Sequence, residues 1–438
     1  MASVNVAIPA LAADLEASAV WVSWIPTAVL LGNILFMLPA GKCADSFGRK
    51  RIFLLGLIIN TCASILAFFA GSIEMVLALR FLQGVGSAML FATGMALLIS
   101  VFPARQRGLP IGLNAASVYL GLTLAPALGG WVTEAWGWRY VFLLPLPIVT
   151  LVILMLVYRI RGDWYGDTNK RFDWRGALLF AAWALTFVFA ITGLPKPLPF
   201  FFLAVSMVLL VLFVRLQARS AEPLIRVQMF RENSVFSMSL LIAALMYAST
   251  YPLGFLLSLY LQYVRGLGAA DAGHLLLVQA LTMAMVAPFA GRLSDIFSPR
   301  WIAACGCLCV FAGFIFLSRL DADTSRLVIT LGLVLVGLGF GFFSSPNNNM
   351  VMNAAAPGEV GVAGATLSLA RVIGNLVGMS LVNLFVHWHL GYQTMSPALS
   401  EPLLSTISNA IMLGLGFLFV ATVLSLLRVR TRRAVRSL

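Results

Sequence analysis

The chain has 438 residues, 61% of them hydrophobic and only 10% charged, with a mean hydropathy of +0.97. A soluble domain carries about 25% charged residues and could not bury this much apolar surface, so a water-soluble fold is excluded and the bilayer must act as solvent. The net charge of +13 does not point to nucleic acid, because the cations sit in short loops between apolar segments, where they set topology.

In chain order, the opening stretch MASVNVAIPALAADLEAS reaches Asp14 after a helix of about 18 Å, short of the roughly 30 Å hydrocarbon core. Thirteen longer apolar segments follow, near 21–40, 52–71, 75–101, 110–133, 138–158, 175–194, 198–216, 235–262, 271–290, 301–318, 327–352, 363–386 and 406–427. The short opening segment leads to the expectation that the chain begins too late, with its first span cut. Of the 29 Lys and Arg, 22 fall in the loops 42–51, 105–107, 159–175, 215–231 and 292–300 and in the tail 428–436. Arg139, Lys196, Arg265, Arg319 and Arg326 fall on the opposite side, and Arg80 and Arg371 lie within spans. By the positive-inside rule the 22 are cytoplasmic, the carboxyl terminus with them. The cysteines of CGCLC lie in an apolar segment at about 100° per residue, so Cys307 points away from Cys305 and Cys309, and no metal site is expected. The tryptophans Trp21, Trp24, Trp136, Trp138 and Trp388 read as an interfacial belt.

GKCADSFGRKR at 41–51 returns 250 residues later as GRLSDIFSPR, aligning Gly41 with Gly291, Asp45 with Asp295 and Lys50 with Arg300. LQGVGSAM at 82–89 is echoed by LVGLGFGF at 335–342, and Pro103 and Pro357 end the two spans. The pattern is an internal duplication, with a small-molecule site expected between the halves. The organisation expected is an amino-terminal bundle at 1–160, two inserted spans with basic loops at 161–230, and a carboxy-terminal bundle with a basic tail at 231–438. Gly41 is expected to allow close approach at a helix end, and Asp45 to lie beside Arg49 and Arg51 in a water-facing turn. Such clusters can pair with a helix end of the other bundle in one state and release it in another.

At these residues the chain resembles the major facilitator superfamily. GKCADSFGRKR looks like that superfamily's signature loop, LRFLQGVGSA at 79–88 its fourth-span motif, and GLTLAPALGGW at 121–131 the fifth-span motif of its antiporter branches. FLLSLYLQYVRGLGAADAG at 255–273 and NVAIPALAADL at 5–15 resemble the drug:proton antiporters with fourteen spans. The resemblance implies an all-α polytopic fold of two six-helix bundles plus two inserted spans. It also implies alternating access, with Arg80 and its neighbours Gln83 and Asn5 in proton and substrate coupling. In the resembled family a carboxylate precedes the asparagine matched by Asn5, and here that place falls at or before Met1. None of the sixteen Asp and Glu reads as mid-membrane.

Gly121, Pro126, Gly129 and Gly130 read as a small-residue face beside a kinking proline, although the family pattern has glycine where this chain has Ala125. Arg371 lies some ten residues inside its span, and a cation there wants a partner or water. The amides of SSPNNNM at 344–350 are placed either on the inner cavity or as caps of a kinked helix. No phosphate loop GxxxxGK[ST] is present, so an ion gradient rather than ATP is the expected energy source. No cofactor is expected, and no enzymatic pairing of nucleophile and base occurs in the spans. The expected function is inner-membrane export of amphipathic small molecules in exchange for protons. The expected partners are the small-molecule substrate, protons and the lipid bilayer, with no nucleic acid, and the sequence leaves a periplasmic adaptor open. The alternatives are an exporter or facilitator of one specific metabolite, or a transport-inactive scaffold if the short amino terminus is genuine.

Overall fold

Segments without internal charge must satisfy their own backbone hydrogen bonds in lipid, and here they do so as α-helices. The computed structural model describes residues 2–101, 108–160, 162–165, 173–193, 197–220, 223–225, 227–354 and 360–427. In order the helices are α1 (Ala2–Asp14), α2 (Ala19–Phe47), α3 (Arg49–Phe68), α4 (Ile73–Val101), α5 (Gly108–Trp136), α6 (Leu146–Tyr158), α7 (Trp174–Gly193) and α8 (Pro197–Arg219). They continue with α9 (Val227–Glu232), α10 (Ser234–Leu259), α11 (Ala269–Ile296), α12 (Pro299–Leu317), α13 (Arg326–Ala354), α14 (Val360–His389) and α15 (Ser400–Leu427). Among the described residues twelve helices are long and apolar enough to cross a membrane. The thirteenth segment read from the sequence is α5, whose side chains at 108–113 lie outside the described residues, as do Pro103, Pro357 and the basic tail. With 13 residues and about 20 Å of rise, α1 is too short to cross. It packs against α5 and α10.

The duplication governs the helix bounds. Shifted by 250, α2 and α3 fall on α11 and α12, and shifted by 253, α4 falls on α13 from first residue to last. Close backbone approaches repeat at the same offsets. A Cβ on Gly86 would lie 2.8 Å from the Gly56 carbonyl, and one on Gly339 would lie 2.5 Å from that of Gly306. Lipid tails are as apolar as leucine, so close backbone packing replaces the hydrophobic effect in holding these helices together. The two bundles are α1–α6 and α10–α15. α7 and α8 form an antiparallel pair outside them, with α7 against both α2 and α14. α8 turns Phe200, Phe201, Met207 and Val211 to the exterior.

The stretch read as a signature loop is mostly helix. α2 continues to Phe47 and α3 starts at Arg49, leaving Gly48 as the entire turn. Gly48 has φ of +108°, and a Cβ there would fall 2.2 Å from the Asp163 carboxylate, so the turn admits no other residue. Gly41 therefore sits inside a continuous helix, where a Cβ would meet only Ala92 at 3.9 Å, and the expected close approach does not occur.

Two further expectations meet the packing. Cys307 is buried while Cys305 is exposed and Cys309 half-buried, as their spacing predicts. Trp138 leaves the expected belt: it is 4% exposed, and its indole N–H donates to Asp14. Trp21, Trp136 and Trp388 remain exposed.

Candidate functional site: the interface between the halves

One membrane face carries most of the basic loops and the other few. The hydrogen bonds traced between the halves, among the described residues, all lie from mid-helix toward the cation-poor face. On the α1–α10 side, Ser258 Oγ donates to the Asn5 carbonyl at 2.8 Å, Gln262 Nε2 to that of Val6 at 3.0 Å, and Tyr263 to that of Pro9 at 3.3 Å. Between α2 and α14, Asn383 and Thr27 are joined at 3.0 Å, and the backbone of Ala19 donates to Gln393. Between α5 and α11, Thr123 Oγ1 donates to Ala280 and the Ala270 N–H to Glu134. α1 is pinned there too, by Arg139 at 2.6 Å from Asp14. The Arg139 guanidinium and the Trp138 indole hold the Asp14 carboxyl below the usual range.

The sequence-predicted small-residue face divides. Gly129 meets Ser3 of α1, whereas Gly130 meets Ala269 and Pro126 meets Gly273, both on α11. Adjacent residues on a helix diverge by about 100°, so one pair of glycines serves two neighbours. Gly121 opens on empty space and takes no part in the contact.

Arg80 lies at the heart of the first bundle, 3% exposed. Its Nη1 donates to Gln83 Oε1 at 2.8 Å, and Gln83 Nε2 passes the chain to Ser64 of α3 at 2.9 Å. Its Nε has no hydrogen-bond partner among the described residues. Tyr251 lies on α10 of the second bundle. Asn5 sits near the same wall, its amide nitrogen 3.9 Å from where a Cβ on Gly254 of α10 would stand. Arg371 is half-buried on α14. It donates to Asn348 of the SSPNNNM stretch on α13 and lies 5.4 Å over the ring of Tyr247 on α10. One of the three amides thus meets this cation, while Asn347 and Asn349 bond to Ser239 and Ser294.

The basic turns differ from expectation in their partners. Arg49 pairs with Asp45 at 3.1 Å and donates to Ser100 on α4 at 2.7 Å. Arg51 turns away from Asp45 to Asp163, 3.6 Å distant, because the Asp163 carboxylate caps the start of α3. It accepts from the backbone of Lys50 at 2.8 Å and of Arg51 at 3.3 Å, a favourable place for an anion at a helix amino terminus. Residues 162–165 therefore belong with the first bundle's turn, although the sequence places them in the linker. In the second copy, Gly291 faces Ser345 Oγ and Arg300 lies over Trp301 at 5.6 Å. The Asp295 side chain lies outside the described residues.

Asp163, Tyr247, Tyr251 and Ser64 escaped the sequence reading. A single acid in a basic loop, or an aromatic or a serine in an apolar helix, has no pattern that sets it apart.

The model of the family described as Major Facilitator Superfamily matches residues 1–379. The chain is 29% identical over 388 residues to the riboflavin transporter RibZ of Clostridioides difficile (strain 630), covering 89% of this chain and 85% of the relative. It is 29% identical over 385 residues to the multidrug resistance protein Stp of Mycobacterium tuberculosis (strain CDC 1551 / Oshkosh), covering 86% and 71%. Among solved structures it is similar to a bacterial homolog of the human lysosomal transporter Spinster, in an inward-facing and unoccupied conformation. The TM-score is 0.70 at 18% identity, over 99% of this chain and 95% of that one, a likeness of fold.

Proposed function

The chain belongs to the Major Facilitator Superfamily, a family of membrane transporters, and we propose that it exports amphipathic small molecules across the inner membrane in exchange for protons. The observation that carries this reading is Arg80, a guanidinium only 3% exposed within an apolar span and bonded to Gln83. A buried cation costs about 2.5–3.5 kcal/mol on insertion scales, and among the described residues no acid pairs with Arg80, so the cation is kept for a transient partner. Substrate and proton traffic supply that partner. With the cation-rich face cytoplasmic, the bonds gathered toward the cation-poor face support the inward-open state as the reading of this arrangement. Alternating access then breaks the Ser258–Asn5 and Asn383–Thr27 contacts and closes the opposite side, where Asp45, Arg49 and Asp163 brace the turn. The multidrug name of one relative supports a broad substrate range. The riboflavin name of another supports the second reading, export of one metabolite.

The test uses everted membrane vesicles with a respiration-driven pH gradient reported by a quenched dye. Compound-dependent collapse of the gradient by many unrelated amphiphiles is expected. A response to riboflavin alone selects the second reading, and no response to any compound removes proton-coupled export.

A further inference from the structure

Resting on that transport reading, we infer that the substrate is an aromatic organic anion, held by its oxyanion at Arg371. Tyr247 and Tyr251 are one turn apart on α10 and so share a face, their Cβ atoms about 5–6 Å apart. The first carries the Arg371 guanidinium 5.4 Å over its ring. The cation thus sits on a strip of aromatic surface, widened by Phe340, whose ring packs edge-on against Tyr247 at 5.1 Å. Arg371 retains a buried Nε with no hydrogen-bond partner among the described residues, as does the side-chain oxygen of Asn375, one turn beyond it. The contacts traced for Arg371 among the described residues are with an amide and a tyrosine, none with a carboxylate. A guanidinium on this strip repels a cationic drug, while a carboxylate or phosphate is attracted to it and matches its fork. The aromatic strip stacks the body of such a molecule. The chemistry selects a flat ring system with an oxyanion at one end.

The experiment uses the full chain purified in detergent and four probes sharing one ring system: 1-naphthylacetate, 1-naphthyl phosphate, 1-naphthylacetamide and 1-naphthylmethylammonium. Binding is read by ligand-dependent thermal stabilisation. One or both oxyanions are expected to bind at least tenfold more tightly than the amide and the ammonium. Arg371→Gln is expected to erase that preference, and Arg371→Lys, which keeps the charge without the fork, to retain part of it. The unliganded melting temperature of each variant shows that it is folded. Equal or tighter binding of the ammonium, or an unchanged preference in folded Arg371→Gln, overturns the inference. The same probes in everted vesicles separate the two readings. Gradient collapse by cations alone leaves export standing and removes the anion. Selective oxyanion binding without gradient collapse keeps the anion and removes proton exchange.

Discussion

The α3–α4 pair and the α12–α13 pair are one backbone written twice, with opposite chemistry inside. The glycine approaches recur, Gly56 on Gly86 and Gly306 on Gly339. Between them the first copy buries Ser64, Gln83 and Arg80, linked by hydrogen bonds at 2.9 and 2.8 Å. At the matching offsets the second copy buries Phe314, Val336 and Leu333, each 2% exposed or less. The packing therefore does not need the polar set. A structure that stands on Leu333 in one half has no evident packing demand for Arg80 in the other, and the polar trio is the set that the proposed transport uses. The same contrast runs through the turns: the first is a one-residue Gly48 turn braced by Asp45 and Asp163, whereas α12 begins at Pro299 after an extended Ser298.

The comparison breaks most visibly if the first copy is converted to the second. Arg80→Leu is expected to abolish measurable transport, while the melting temperature holds or rises because a buried cation is removed. Loss of folding instead would return Arg80 to a structural role. The reverse conversion, Leu333→Arg, is expected to destabilise by about 2.5–3.5 kcal/mol, because it buries a charge with no Gln83 or Ser64 counterpart. Thermal melting of the purified chain measures it. Substituting the shared element should hurt both copies: Gly86→Val and Gly339→Val each force a side chain into a carbonyl at 2.8 or 2.5 Å, at a cost of about 1–3 kcal/mol. A tolerant Gly339 beside an intolerant Gly86 would show that the copies do not bear load equally.

The smallest effect concerns the seal on α1. The Asp14 carboxyl is held below its usual range by Arg139 and Trp138, so its contribution is complete above the unfolded carboxylate value of about 3.9 and is lost as pH falls through the lower folded value. The pair is partly exposed and worth less than about 1 kcal/mol. Melting curves of the wild type should lose a small increment in that acidic window, and Asp14→Asn should lack the increment at every pH. An identical acid response in both would detach Asp14 from the seal.

Legibility divided along physical lines. Spans, duplication and the cysteine faces were readable because apolar length and helical period are local properties, and Cys307 is buried where its period puts it. The position of the turn is not legible in the stretch, because nothing in GKCADSF forbids a helix, and the Asp163 carboxylate, over a hundred residues on, packs against Gly48 at the break. The small-residue face was half legible: Gly129 and Gly130 are contact residues, yet their partners lie on two different helices, and Gly121 has none. Arg80 and Arg371 were conspicuous as cations in apolar runs, whereas Tyr247 and Tyr251 were invisible among other aromatics.

Composition and the distribution of cations by themselves determined that this is a polytopic membrane chain, since transfer from water to lipid acts on each segment independently of its neighbours, and the motif at 41–51, written again 250 residues on, determined that its halves repeat. Only the tertiary structure decided that Arg51 pairs with Asp163, that Arg371 meets Asn348 and Tyr247, and that the seam is bonded toward one face. Those choices depend on helices packed at a few ångströms across long intervals of chain, where distance and direction, not residue type, set which group a charge finds.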